Sequence, residues 1–303
     1  MSVTSSEPAR ARARRAPWRA VGAGYVFVAG YVILLAAFGV VPVVYAVYFA
    51  FTNADNYFAG LSNFVQSGQD FRYLPALEHI GIYLAIWLVA LVVLVTVLAL
   101  VLHQVSARRL GALVRFLYYI PGALAGAASV LVWLFMLDPT VSPASSLLHL
   151  LGYGTFGNVI APGHLSLLFA IIAFWTGAGG WIVVMYGALN NIPRDVMEAA
   201  RIDGAGAWRT ARYIQVPMLR KWIVYMAILA FATGAQLFVE PQLVSEASLG
   251  VAGRDYSPNQ LAYDFAFQNN NVNYAAAISV ELLVVCLIVA AVFVTRSRFF
   301  DAN

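Results

Sequence analysis

Six stretches of this sequence are too long and too apolar for a water-soluble core: roughly 22–51, 80–103, 113–137, 164–189, 222–244 and 273–295. About 20 apolar residues in a helix cross the hydrocarbon core of a bilayer. A helix does so because it satisfies its own backbone hydrogen bonds where no water can. The whole chain is 62% apolar and 11% charged, against roughly 45–50% and 25% in soluble domains. The expected fold class is therefore an all-α integral membrane protein with six transmembrane helices. Pro121 in the third span, and Glu240 with Pro241 at the end of the fifth, predict bends or breaks.

Basic residues set the expected orientation, because cytoplasmic links carry an excess of Lys and Arg. Arg10, Arg12, Arg14, Arg15 and Arg19 precede the first span; Arg108, Arg109 and Arg115 lie between the second and third. Arg194, Arg201, Arg209, Arg212, Arg220 and Lys221 lie between the fourth and fifth, and Arg296 and Arg298 follow the sixth. That leaves only Arg72 and Arg254, of 18 basic residues, for the other three links. Both termini are expected in the cytoplasm. Residues 1–20 read as a basic, disordered tail, and 21–79 as the first transmembrane helix with an outer link. The first apolar run is about twice a secretory h-region and lacks a small-residue cleavage site, so it is expected to be retained.

Several chemistries lack their residues. Cys286 is the single cysteine, and the four histidines show no metal-ligand spacing. No G-x-x-x-x-G-K-[ST] string occurs, so any ATP used must be bound by another chain. The string GYGTFG (152–157) fits a dinucleotide fingerprint but has no flanking strand and sits in an outer link. No G-x-S-x-G or H-E-x-x-H occurs, and no catalytic residue, metal or bound cofactor is expected. Glu281 lies inside the sixth span; an intramembrane carboxylate is a functional candidate, although a hydrogen bond to a neighbouring helix would also explain it.

One polar stretch stands out, EAARIDGAGAWRTARYIQVP (198–217). A helix is expected from Arg194 to Ile202, with Pro193 at its start and Asn190 or Asn191 available as a cap. Gly204 can take the positive φ that ends it. A second short helix is expected over 207–215, stopping before Pro217. Small residues, a glycine turn and an exposed Trp208 predict a docking surface for a soluble partner.

The spacing Glu198, Ala199, Ala200, Gly204, Ile214, Pro217 resembles the signature of permease subunits of binding-protein-dependent ABC importers, E-A-A, three residues, G, nine residues, I-x-L-P; Val216 stands where the signature has leucine. GLSNF (60–64), RFLYYIPGALAGAASVLVWLFMLDPT (115–140) and NYAAAISVELLVV (273–285) extend the resemblance, which points to the sugar-importing subclass and its maltose-type first permease. It implies a type I ABC importer permease fold over 80–298, with a coupling helix within 190–220, in a bacterial cytoplasmic membrane. It also implies a second homologous permease, two ATP-binding subunits holding ATP and Mg, and an extracytoplasmic solute-binding protein. Glu198 would pair with a basic group of the ATPase, Ala199 and Ala200 would form the close-packing face, and Gly204 the hinge, with Asp203, Ile214 and Pro217 in the same ATPase-coupling set. The substrate pathway is expected at Trp175, Thr176, Gly177, Gly180 and Trp181 in span four and at Thr233, Gln236 and Glu240 in span five. The small Ala173, Gly180 and Gly234 stand where the maltose case has larger residues, which predicts a wider cavity. A non-sugar solute, or ion-coupled transport through Glu240 or Glu281, is the alternative.

Overall fold

The computed structural model describes residues 18–105, 108–124 and 126–296. Most of the basic tail expected at 1–20, and Arg298, lie outside the described residues. The chain forms two units, residues 1–48 and 49–303. Among the described residues the regular secondary structure is helical, apart from one isolated antiparallel bridge between Thr52 and Phe58.

The first unit is one long apolar rod, α1 (Trp18–Leu35), a π-turn (Ala36–Val40) and α2 (Val41–Ala50), whose last two residues belong to the second unit. The π-turn has a cause two residues on, at Pro42. Proline has no N–H and cannot continue an i to i−4 ladder. Val41 N–H instead reaches five residues back to the carbonyl of Ala36, which shifts the ladder by one residue just before the proline.

In the second unit, α3 (Ser62–Gln69) leads into α4 (Tyr73–His103). α4 buries Tyr73, Ala76, Ile80, Tyr83, Trp87, Leu91, Val95, Ala99 and Leu102, a single stripe at three- and four-residue spacing. Its opposite face exposes Val89, Val93, Val97 and Val101. Both faces are apolar because lipid tails are as apolar as a protein core. α4 begins seven residues before the expected boundary at 80, because Glu78 and His79 conceal the helical stripe in the sequence.

The third span is α5 (Arg108–Tyr119) and α6 (Gly126–Leu137), separated by a 3₁₀ turn at Pro121–Ala123; its two halves are bent by 99°. Among the described residues, five continuous helices are long and apolar enough to cross a membrane, and this bent pair makes six. Short α7 (Ser145–Leu150) and α8 (Phe156–Val159) follow, and then α9 (Leu165–Asn190), whose contact with α4 is the largest between two elements. α10 (Arg194–Ile202) and α11 (Ala207–Thr210) form an elbow before α12 (Val216–Gly234). α13 (Val239–Ala247), α14 (Pro258–Phe267) and α15 (Val272–Arg296) complete the unit.

Two expectations about proline are corrected. The helix that starts at Ala207 does not stop before Pro217: it continues to Gly234 through a π-turn at Ala211–Gln215. Val216 N–H reaches the carbonyl of Ala211, so the ladder has already shifted when Pro217 arrives, as it has at Pro42. The fifth span also breaks at 235–238 and not at Pro241, which occupies the first turn of α13, where no N–H is needed.

The links are tied by polar contacts. Asn63 donates to the carbonyls of Ala50 and Thr52, each at 2.9 Å, which gives the Asn of GLSNF a structural task. Arg72 pairs with Asp70 at 3.0 Å and with Asp264 at 3.8 Å, and its guanidinium lies 4.6 Å from the Phe265 ring centre. The Tyr274 hydroxyl donates to Asp70 at 3.3 Å. Arg72 hydrogen bonds, above all, hold the Asp70 carboxyl below the usual carboxylate range. Glu281 accepts a 2.6 Å hydrogen bond from Ser67 of α3, the neighbouring-helix contact that would account for it.

Candidate functional site

The elbow between the fourth and fifth spans is built as the sequence implies. Gly204 sits at φ +69°. Its N–H bonds the Arg201 carbonyl at 3.1 Å, and Ala205 N–H bonds the Ala200 carbonyl at 2.9 Å. This is the paired closure of a Schellman cap, which an L side chain at the left-handed position would strain. Pro193 is the N-cap of α10, with no side-chain cap bond. Asn190 donates instead to the Tyr186 carbonyl at 3.0 Å.

The apolar residues of α10 divide between two faces. Met197 and Ala200 turn toward the rest of the unit, and Ala200 is 5% exposed. Val196, Ala199 and Ile202 face outward at three-residue spacing, and Ile202 is 86% exposed. Glu198 and Asp203 are exposed beside this stripe, as are Trp208 at 77% and Tyr213 at 72%. Of the alanine pair, therefore, Ala199 is open to a partner while Ala200 packs within the chain. Ile214 is half-buried and Pro217 exposed on the helix leaving the elbow. An exposed apolar stripe rimmed by charge is a mark of an interaction surface.

The pathway residues lie in two places. Trp175 packs edge-on against Trp133 of α6, with ring centres 5.7 Å apart. Thr176 and Thr233 direct their hydroxyls to their own helices, to the carbonyls of Ile172 and Ala230, each at 3.0 Å. Gly177 and Gly180 have open space where a side chain would stand. Trp181 meets Tyr225 of α12 edge-on at 6.0 Å, joining spans four and five. Gln236 is exposed, on a cavity of about 410 Å³ that it shares with Cys286 and Ser279 of α15. Glu240 is half-buried in the first turn of α13, where the helix dipole favours a carboxylate.

Small side chains do not all leave space. A methyl at Gly234 would overlap the Trp87 indole, so Trp87 fills the room that Gly234 was expected to open. Gly179 was not singled out in the sequence, yet a methyl there would strike the backbone carbonyl of Tyr118. The backbones of α9 and the third span come close here, in keeping with small residues at membrane helix contacts. Arg115, which the sequence marks only as a charge that sets orientation, has a packing role as well: its guanidinium lies 4.5 Å from the Tyr186 ring centre, a cation–π contact between the third and fourth spans.

Helices of spanning length, joined by an ordered polar elbow, define a multi-pass helical membrane protein. Residues 109–298 match the family described as Binding-protein-dependent transport system inner membrane component, and the chain belongs to that family. It is thus a multi-pass bacterial inner-membrane permease component, not a catalytic subunit. Among curated relatives, it is 23% identical over 280 residues to a probable permease protein of a starch degradation products transport system from Thermoanaerobacterium thermosulfurigenes, covering 90% of this chain and 94% of the relative. It is 25% identical over 287 residues to the permease protein of a lactose transport system from Rhizobium radiobacter, covering 91% and 94%. The fold is similar to that of a chain in the crystal structure of a bacterial ABC transporter involved in import of the acidic polysaccharide alginate. The TM-score is 0.78 at 17% identity, with 94% of this chain and 99% of that chain covered.

Proposed function

We propose that this chain forms half of the translocation pathway of an ATP-driven importer for a sugar or oligosaccharide, and that α10 and α11 receive the motion of a partner ATPase. The outward stripe Val196–Ala199–Ile202, flanked by Glu198 and Trp208, carries this reading. It is ordered, exposed and rigidly capped, as a surface that transmits force must be. Relatives named for starch products and lactose support a carbohydrate cargo. The distribution of basic residues supports a cytoplasmic elbow with both termini on the same side.

The continuity from Ala207 to Gly234 gives the elbow a mechanical role. A displacement of α10 passes through Gly204 into α11 and then along a single unbroken rod. The rod ends at Gly234, and the break at 235–238, which holds Gln236, leads directly into α13. Closure of two ATPases around ATP and Mg would thus move one wall of the pathway at Thr233, Gln236 and Glu240. Trp181, in edge contact with α12, would carry the motion to Trp175, Thr176, Gly177 and Gly180. Two ATPase grooves call for two elbows, hence a second, homologous permease, with the binding protein delivering cargo to the opposite face.

Uptake in reconstituted vesicles tests this. It should require ATP and the co-purified ATPase, and persist when ion gradients are collapsed. Uptake that survives removal of the ATPase and follows an ion gradient would reject the proposal.

A further inference from the structure

The inner side of the elbow holds a groove that the coupling role does not use. A cavity of about 410 Å³ opens between the end of α4 and the elbow, lined by His103, Gln104, Met197, Arg201, Thr210 and Gln215 among others. Its size lies in the range of small-molecule sites. Gln215 is 4% exposed, and among the described residues its amide makes no hydrogen bond. Its side chain lines the cavity, and an amide with no bond inside the chain keeps both its donors and its acceptor for whatever enters there. The amide stands in the π-turn Ala211–Gln215, a kind of irregularity frequent at functional sites.

The lining has one sign of charge. Arg201 forms no ion pair among the described residues, and no Asp or Glu lines this cavity. The neighbouring groove, on the other side of Met197 and Arg201, does include Glu198. A guanidinium, two amides and an imidazole around one space supply hydrogen-bond donors to an oxyanion, whereas the Thr210 hydroxyl donates to the Ala205 carbonyl at 3.4 Å; a guanidinium matches phosphate geometry with two parallel bonds.

We propose that this groove binds a phosphate-bearing anion, a soluble phosphate or the phosphodiester of a lipid headgroup, held by Arg201 and by the Gln215 amide. Bound there, the anion braces α10 against the end of α4. The placement follows from the chain's own geometry and stands whether or not the elbow couples to an ATPase.

The test heats the full chain, without ATPase, in nanodiscs of zwitterionic lipid. Inorganic phosphate is titrated against chloride at matched ionic strength, and a parallel series replaces part of the lipid with phosphatidylglycerol. A saturable rise in melting temperature is expected, because a ligand that binds only the folded state stabilises it. A rise with inorganic phosphate identifies a soluble anion, and a rise with phosphatidylglycerol alone identifies a headgroup. Arg201→Gln, at an exposed position, should raise the half-saturating concentration by about tenfold, the scale of one charge-assisted hydrogen bond. Gln215→Leu, similar in volume, should abolish the rise. Should Gln215→Leu fail to fold, Arg201→Gln alone decides. No rise with either probe, or a rise that both variants retain in full, overturns the proposal. Uptake that still requires the ATPase would then leave the coupling reading intact.

Discussion

Replacing Gly179 by alanine should separate it sharply from its two glycine neighbours in the same helix. In a helix interior alanine is favoured over glycine by up to about 1 kcal/mol. Gly177 and Gly180 have nothing within 4 Å of an added methyl, so Gly177→Ala and Gly180→Ala should stabilise by that order. At Gly179 the methyl lands on the backbone carbonyl of Tyr118, and a backbone group cannot rotate aside as a side chain could. α9 must move away from the third span, although Gly122 is already packed so that a methyl there would lie 2.9 Å from the Thr176 carbonyl. Overpacking of this kind costs about 1–3 kcal/mol, which puts the variants about 2–4 kcal/mol apart. At roughly 2–4 °C per kcal/mol for a chain of this size class, the melting temperatures in detergent, followed by tryptophan fluorescence, should differ by about 5–15 °C. Equal melting temperatures for the three variants would refute the packing argument.

Further outcomes follow from the same contacts. In a Cys286→Ser background, Ala199→Cys should cross-link to the ATPase subunit within the assembled complex, and Ala200→Cys should not, because only Ala199 faces outward. Glu281→Gln keeps an acceptor for Ser67, so uptake should stay within about twofold of the parent; abolished uptake would favour proton coupling through this carboxyl. Asp70→Asn should lower stability by about 1–2 kcal/mol at neutral pH, the scale of a hydrogen bond to a charged group. The Asp70 pKa lies below its ordinary value of 3.8, so its contribution is complete above that value and fades as pH falls through the lowered one. The parent's advantage in melting temperature over Asp70→Asn should thus hold at pH 5 and vanish in stronger acid.

Much of this architecture is legible because the bilayer simplifies the problem. Helix length and apolarity locate the spans, and α10 begins and ends where its proline and glycine predict. What was misread has a physical reason in each case. Pro217 looks like a helix stop, but a π-turn can shift the hydrogen-bond ladder before a proline, and nothing in the string YIQVP announces that turn. Gly177, Gly179 and Gly180 are equivalent as letters; only the path of the third span past α9 singles out Gly179. Gly234 predicted space, and the ring that fills it comes from Trp87, well over a hundred residues earlier. The groove at Gln215 was invisible for the same reason, since the end of α4, α10, the turn after it, α11 and the π-turn each contribute only one or two of its residues. The division of the alanine pair also required coordinates, because both faces of α10 carry small apolar residues.

The proposed coupling of this permease to ATP hydrolysis runs through the elbow, on which Glu198 is exposed. The decisive measurement is substrate-stimulated ATP hydrolysis together with uptake by the complete complex carrying Glu198→Lys. Coupling through the elbow predicts that the variant subunit remains folded in the membrane while stimulated hydrolysis and uptake are both lost. Stimulated hydrolysis and uptake at parental levels would contradict it.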